Sequence, residues 1–176
     1  MKYLLYCLLL LTITSCEVKV NSASTDKKKE EPYTRNTNKV RNGIKFTTTG
    51  GLKVEQAFLS NEDGTLVDEQ NITDLKRRLV LHLNVDGWKA ENGKVYIDAE
   101  QKVLTDEGQE ILNVSGLFTK NGIEAVSEDE AKQVSLNVVI NSINRLVDYF
   151  LVEFKVYNRK SDQAIEGSYK FHINKM

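Results

Sequence analysis

The sequence has few of the residues that cross-link small exported domains or bind metal ions, with two cysteines and two histidines among 176 residues. Cys7 and Cys16 both precede residue 17, so residues 17–176 contain no cysteine and cannot form an intrachain disulfide. A folded domain in this part of the chain must therefore be held together by its hydrophobic core. A domain of about 135 residues is large enough to build one.

The sequence also lacks the patterns that carry catalysis. His82 and His172 are ninety residues apart, whereas metal ligands usually come as clusters at short spacing. Residues 17–176 contain no thiol nucleophile, no Gly-x-Ser-x-Gly elbow and no glycine-rich phosphate loop. We therefore predict that the protein is not an enzyme and has no metal or other cofactor.

Charge is nearly balanced over the whole chain, with 24 Lys and Arg against 25 Asp and Glu, but it is unevenly distributed. Residues 17–40 carry six basic and four acidic side chains, a net charge of +2. Residues 41–176 carry seventeen and twenty-one, a net charge of −4. A mildly acidic domain lacks the basic surface that nucleic-acid binding requires, so we expect no nucleic-acid partner.

The first residues have the features of a signal peptide. Lys2 gives a positive start, and residues 3–13 form an apolar run of eleven residues. A helix needs roughly 20 apolar residues to cross a bilayer, so this run is too short for a membrane-spanning anchor. The run ends in Ile13-Thr14-Ser15-Cys16.

That ending resembles the lipobox of bacterial lipoproteins, in which an aliphatic residue and two small residues precede a cysteine. The resemblance implies that residues 1–15 are a signal peptide cleaved before Cys16. It also implies that the Cys16 thiol receives a diacylglycerol and that the new amino group is acylated, and several acyl chains anchor a protein stably. We therefore expect lipid on Cys16 to hold the protein in the cell membrane or outer membrane, with its domain outside the cytoplasm. An ordinary secretory leader with an incidental Cys16 is the alternative.

Residues 16–40 are predicted to form a disordered tether behind the lipidated cysteine. Residues 17–40 contain five apolar residues among twenty-four, and Pro32 is the one proline of the chain. Such a segment cannot bury a core. As a flexible coil it would span about 25–30 Å, and at most roughly 80 Å when fully stretched.

From residue 41 onward, short alternating apolar and polar runs are separated by turn clusters such as Asp86-Gly87 and Asn121-Gly122. Gly, Asn and Asp tolerate the positive φ that tight turns need. The pattern predicts an all-β domain over residues 41–176, namely an antiparallel immunoglobulin-like β-sandwich of about seven or eight strands. The predicted strands are 43–48, 52–59, 78–85, 94–104, 110–117, 133–141, 149–158 and 165–174.

The last two predicted strands form the clearest pair. In 149–158 and 165–174, apolar side chains alternate with polar ones, and the loop 159–163 joins the two runs. The period of two predicts a hairpin with one buried face. Its buried residues are predicted to be Phe150, Val152, Phe154, Val156, Tyr169, Phe171 and Ile173.

The segment before this hairpin is ambiguous. Ser127 and Glu130 have the spacing of a capping box, which predicts a short helical turn near 127–133. Residues 134–147 fit a helical face and a strand face equally well, and we favour a strand after the helical turn. Residues 136–140 followed by Asp148-Tyr149 resemble the E strand, corner and F strand of an immunoglobulin-like sandwich, with Tyr149 as the corner tyrosine.

Three aromatic residues are the candidate contacts for a ligand or partner. Trp88 follows Asp86-Gly87 and either forms an exposed platform or folds back to close one end of the sandwich. Tyr96 and Tyr157 lie on strand faces opposite the predicted core and could extend a surface patch.

The sequence therefore favours a lipid-anchored cell-envelope protein whose β-sandwich is a non-catalytic protein-binding or scaffold module. The alternative is a surface or periplasmic lipoprotein that binds a glycan or another ligand. The alternative requires Trp88, Tyr96 or Tyr157 to be exposed and clustered. An exposed patch of Val and Leu without aromatic residues would favour the protein partner.

Overall fold

The computed structural model describes residues 40–143 and 145–174. The predicted signal peptide, Cys16 and nearly all of the predicted tether lie outside the described residues. The strands are β1 (Lys45–Thr48), β2 (Lys53–Asn61), β3 (Ile72–Thr73), β4 (Arg78–Asp86), β5 (Lys94–Val95), β6 (Ile97–Thr105), β7 (Glu110–Ser115), β8 (Val126–Ser127), β9 (Gln133–Val139), β10 (Phe150–Asn158) and β11 (Ala164–Ile173). One α-helical turn, α1 (Glu128–Ala131), and one 3₁₀ turn, Thr119–Asn121, complete the described elements.

Two antiparallel sheets pack face to face. The larger has the order β1-β11-β10-β6-β7, with β3 added in parallel beside β11, and the smaller has the order β2-β4-β9. β5 and β8 form a separate two-stranded ribbon. The chain crosses between the sheets from β9 to β10, as the E and F strands of an immunoglobulin-like sandwich do. The predicted all-β sandwich is confirmed.

The C-terminal hairpin forms as predicted. β10 and β11 pair along their length, with Phe150 opposite Phe171 and Val152 opposite Tyr169. The predicted inward side chains of both strands are buried except that of Ile173, which is half-buried at the end of β11, and the rings of Phe150 and Phe171 stack with centroids 5.2 Å apart. Such aromatic pairs add to the stability that burial alone supplies. β10 also pairs with β6 along its whole length and is therefore a central strand of the larger sheet.

The ambiguous segment begins with a short helical turn followed by a strand, as favoured from the sequence, but the strand ends at Val139, and residues 140–143 and 145–147 form neither strand nor helix. The Ser127 hydroxyl accepts a hydrogen bond from the Glu130 backbone N–H, and the Glu130 carboxylate accepts one from the Ser127 N–H. This capping box starts α1. β9 follows the strand pattern rather than the helical one, since Val134, Leu136 and Val138 all face the core.

The predicted corner residue, Tyr149, lies at the surface. It is half-buried, and its ring faces the Lys170 ammonium at 3.7 Å and the edge of His172. Tyr149 thus contributes a cation–π contact between the start of β10 and the end of β11.

A buried pair of asparagines ties the N-terminal turn to the sandwich. Asn42 is 1% exposed and adopts the left-handed conformation, with φ of 60°. Its side chain accepts from the Leu59 N–H at 2.9 Å and donates to the Asp68 carbonyl and to the Asn71 side chain, both at 2.8 Å. Asn71 in turn donates to the carbonyls of Asn42 and Lys170, both at 2.7 Å. The pair therefore connects the turn at Asn42 to both sheets.

A buried glutamine has the same function at the opposite end of the sandwich. Gln163 is 1% exposed, and its amide nitrogen donates to the carbonyls of Gly50 and Gly87. Its amide oxygen accepts from the Lys89 N–H at 2.6 Å. Gly50 has a φ of 65°, and a Cβ there would lie 2.6 Å from the Gln163 side chain. Glycine is therefore the residue that fits this turn.

We predict that Asn42→Gly lowers the free energy of unfolding by about 2–4 kcal/mol, because the substitution leaves buried donors and acceptors without hydrogen-bond partners. Glycine keeps the positive φ, so the loss reports the side chain rather than backbone strain. The matched control is Asn92→Gly at an exposed turn residue with φ of 54°, which we expect to change stability by less than about 0.5 kcal/mol. Urea unfolding measures both variants, and equal losses would contradict the prediction.

Candidate functional site

Trp88 closes one end of the sandwich. Its side chain is half-buried and packs against the hydrophobic core. The indole Nε1 is buried and has no hydrogen-bond partner within the described residues. The next residue, Lys89, is held by backbone hydrogen bonds to the side chains of Gln163 and Asn158. Of the two positions that the sequence leaves open for Trp88, the structure has the inward one.

Tyr96 and Tyr157 lie on the outer face of the larger sheet. Both are half-buried, and Lys160 and Arg159 stand 5.2 and 5.9 Å from the centre of the Tyr96 ring. Burial raises the pKa of the Tyr157 hydroxyl, and the nearby carboxylates of Asp98 and Glu100 raise it further. Tyr96 therefore lies beside two cations and Tyr157 near two carboxylates, whereas Trp88 packs against the core.

The two histidines lie apart, on different sheets. His82 lies on the outer face of the smaller sheet, with Nε2 2.8 Å from the Ser60 hydroxyl and Nδ1 3.1 Å from the Ser135 hydroxyl. His172 Nδ1 is hydrogen-bonded to the Asp148 carbonyl. Within residues 40–143 and 145–174, no three His, Cys, Asp or Glu side chains converge as metal ligands. In the same part of the chain no helix is long and apolar enough to cross a membrane.

A cleft of about 320 Å³ opens between the two sheets at one edge of the sandwich. β7 lines one side of this cleft and the end of β9 lines the other. Phe150 also lines the cleft and is almost completely buried. The remaining apolar lining is aliphatic and comes from Ile111, Leu112, Val138, Val139, Ile140, Ile143 and Val147.

The cleft exists because the sheets have unequal widths. The main path of the larger sheet has five strands, while the smaller sheet has three and ends at β9. β7 therefore extends beyond the smaller sheet, and its inward side chains Leu112 and Val114 are only half-buried. A register shift between β6 and β7 leaves Ile111 as an extra residue, and its side chain is 42% exposed.

Charged side chains lie near the cleft, at the turn between β6 and β7. Asp106 and Glu107 lie in the turn between β6 and β7, and Glu110 begins β7. Arg145 forms an ion pair with Glu107 and donates a hydrogen bond to the Thr105 hydroxyl at 3.0 Å. Arg145 is thus the charged residue among those that line the cleft, and it is paired with Glu107, while Glu110 pairs with Lys102 at 3.5 Å.

The sequence contains a signal for this cleft that our prediction did not use. Ile111 and Leu112 are consecutive apolar residues in a strand that otherwise alternates, and such a pair cannot have both side chains in the core. Ile111 and Leu112 both border the cleft because the two sheets have unequal widths, and the sequence pattern does not reveal those widths.

Comparisons with known proteins find a similar fold among solved structures. No protein-family model matches the chain, and neither does any curated protein. Among solved structures, the crystal structure of the C-terminal domain of wzt is similar, with 13% sequence identity and a TM-score of 0.49. The similarity covers 77% of this chain and 81% of that chain. At this identity the likeness concerns the fold alone.

The burial of His82 predicts a pH-dependent stability. Burial lowers the pKa of His82 below its ordinary value, so the unfolded chain binds a proton more readily than the folded one. The stability that neutral His82 provides is therefore complete above about pH 6.5 and is lost as pH falls through the lowered folded pKa.

We predict that His82→Gln, which can still hydrogen-bond to both serines, removes part of the stability loss between about pH 8 and pH 5. His172→Gln keeps His82 and should retain the full loss. Thermal unfolding across this pH range measures both variants. Identical pH profiles for wild type and His82→Gln would show that His82 does not cause the loss.

Proposed function

We propose that this chain is a lipid-anchored cell-envelope protein whose β-sandwich binds another protein through the cleft between β7 and β9. The observation that carries this proposal is the cleft itself, an open space at the edge of an otherwise closed core, whose lining combines seven aliphatic residues with Phe150 and five polar residues. Exposed apolar surface of this kind marks interaction sites.

A protein partner fits the cleft better than a sugar does. Sugar rings stack on exposed aromatic platforms, whereas Trp88 packs against the core and two basic side chains lie beside the Tyr96 ring. In the cleft, the one aromatic lining residue, Phe150, is almost completely buried. Fully burying one aliphatic side chain contributes about 1.5–3 kcal/mol, so covering Ile111 and its neighbours would supply a binding hot spot.

One observation favours glycan or ligand binding as a second candidate. Tyr96 and Tyr157 share the outer face of the larger sheet, beside Arg159 and Lys160. Tyr96, half-exposed and next to two cations, suits a sugar that carries a negative charge. Loss of sugar binding in Tyr96→Ala and Tyr157→Ala variants would support this candidate.

The anchor is proposed to be Cys16, on the resemblance of residues 13–16 to a lipobox. Cys16→Ser removes the thiol that would receive the lipid, so we expect the variant to remain unprocessed or to leave the membrane fraction. Ser15→Thr, with a small residue retained before the cysteine, serves as the control. Fractionation and gel mobility measure both variants. A Cys16→Ser protein that behaves like wild type would contradict the anchor.

The binding role is tested by a photoreactive amino acid at position 111 in full-length protein in intact cells. We expect a defined adduct with an envelope protein, identified by mass spectrometry, because Ile111 borders the cleft. Position 72 is the matched control, since Ile72 is 43% exposed and Ile111 is 42% exposed. Equal adducts at both positions, or none at position 111, would contradict the proposed function.

A further inference from the structure

We propose that Asn92 is a site of spontaneous covalent modification, in which its side-chain amide is lost and the ribbon of β5 and β8 opens as a result. The site lies in the turn before β5, away from the cleft between β7 and β9. The modification is therefore independent of the proposed binding function.

An asparagine that precedes a glycine can lose its side-chain amide without an enzyme. The backbone nitrogen of the glycine attacks the side-chain carbonyl carbon, a new C–N bond closes a five-membered succinimide, and the amide nitrogen leaves as ammonia. Water then opens the ring at either carbonyl and gives aspartate or isoaspartate. Glycine favours the attack because it has no side chain to hinder it. Asn141 is also exposed, but the residue after it is Ser142.

The chain contains three Asn-Gly pairs, which begin at Asn42, Asn92 and Asn121. The first is protected by burial, since Asn42 is 1% exposed. Its side-chain oxygen accepts from the Leu59 N–H at 2.9 Å, and its side-chain nitrogen donates to the Asp68 carbonyl at 2.8 Å. The amide that would be lost is therefore held on both sides and shielded from water.

The third pair is exposed but is held by hydrogen bonds. The Asn121 side chain donates to the Leu117 carbonyl at 2.7 Å. The attacking nitrogen of this pair belongs to Gly122, and its N–H donates to the Thr119 carbonyl at 3.0 Å. Both the group that is attacked and the group that attacks must give up a hydrogen bond before they can react.

The second pair has neither form of protection. Asn92 and Gly93 are both exposed, and within residues 40–143 and 145–174 no hydrogen bond holds the Asn92 side chain or the Gly93 N–H. The two residues form a tight hairpin turn with φ of 54° and 72°, the positive values of a type I′ turn. Glu91 and Lys94 flank the turn and exchange backbone hydrogen bonds of 2.8 and 3.1 Å. Ring closure needs a different rotation of the Asn92 backbone, so this turn must open first.

The turn is easily opened because the ribbon behind it is short. β5 consists of Lys94 and Val95, which pair with Ser127 and Val126 of β8. Segments with few backbone hydrogen bonds open locally at a small fraction of the free energy of global unfolding. Release of Asn42, by contrast, requires the loss of contacts to both sheets.

Conversion at Asn92 weakens the same turn. Isoaspartate adds a carbon atom to the backbone, so a two-residue turn no longer joins Glu91 to Lys94 in the same register. Either product also places a new carboxylate next to Glu91. The ribbon contains the buried side chains of Val95 and Val126, which are 0% and 6% exposed. We therefore expect the modification to loosen β5 and β8 and to uncover this end of the core.

The test uses full-length protein carrying the Cys16→Ser substitution, incubated in warm, mildly alkaline buffer for increasing times. Peptide mass spectrometry follows the replacement of the amide by a carboxyl group, after digestion at acidic pH, where ring closure is slow. The same protein unfolded in urea is the reference. The matched control variant is Asn92→Gly, which keeps the positive φ and removes the amide.

In the folded protein we expect Asn92 to convert at least tenfold faster than Asn42 or Asn121. In urea the three should convert at similar rates, because glycine follows each of them. Hydrogen exchange at the amides of Lys94 and Val95 should be faster in aged than in fresh protein. Aged and fresh Asn92→Gly should exchange alike.

Two results would overturn the site. These are equal conversion of the three asparagines in the folded protein, and no conversion at Asn92 over a time in which it converts fully in urea. Conversion at Asn92 with unchanged hydrogen exchange would overturn the opening of the ribbon.

Discussion

The apolar contact between the inner faces of the two sheets is the interaction on which the rest of this domain depends. Residues 17–176 have no cysteine, so no disulfide within this part of the chain stabilises the domain. The inward residues of β4, β6, β9 and β10 are almost all buried, and they alternate with polar or half-exposed residues. The two sheets bury each other's inward side chains only where they overlap.

The limits of that contact produce the cleft. Where β7 extends past β9, the inner face of the larger sheet has nothing opposite it, and side chains such as Leu112 stay half-exposed. The same unequal pairing of the sheets thus leaves one site that is both apolar and open. The proposed binding role follows from this incomplete burial and requires no special catalytic group.

Buried amide side chains hold the loops at both ends of the sandwich. Asn42 and Asn71 connect the N-terminal turn to both sheets, while Gln163 connects the turns at Gly50 and Gly87. Each of these buried amides has several hydrogen-bond partners, as polar groups inside proteins require. Their positions also explain why Trp88 turns inward, because Lys89 beside it is held by Gln163.

The sequence by itself determined the all-β class, the C-terminal hairpin and the start of α1, because these depend on local rules. A period of two decides which side chains of β10 and β11 are buried, and the capping box needs only Ser127 and Glu130. Tertiary structure alone decided the inward position of Trp88, the buried connections of Asn42 and Gln163, and the cleft at Ile111. These depend on residues up to about a hundred positions apart and on the number of strands in each sheet. The alternating pattern of a single segment encodes neither these long-range contacts nor the number of strands in each sheet, because both depend on how the whole chain folds.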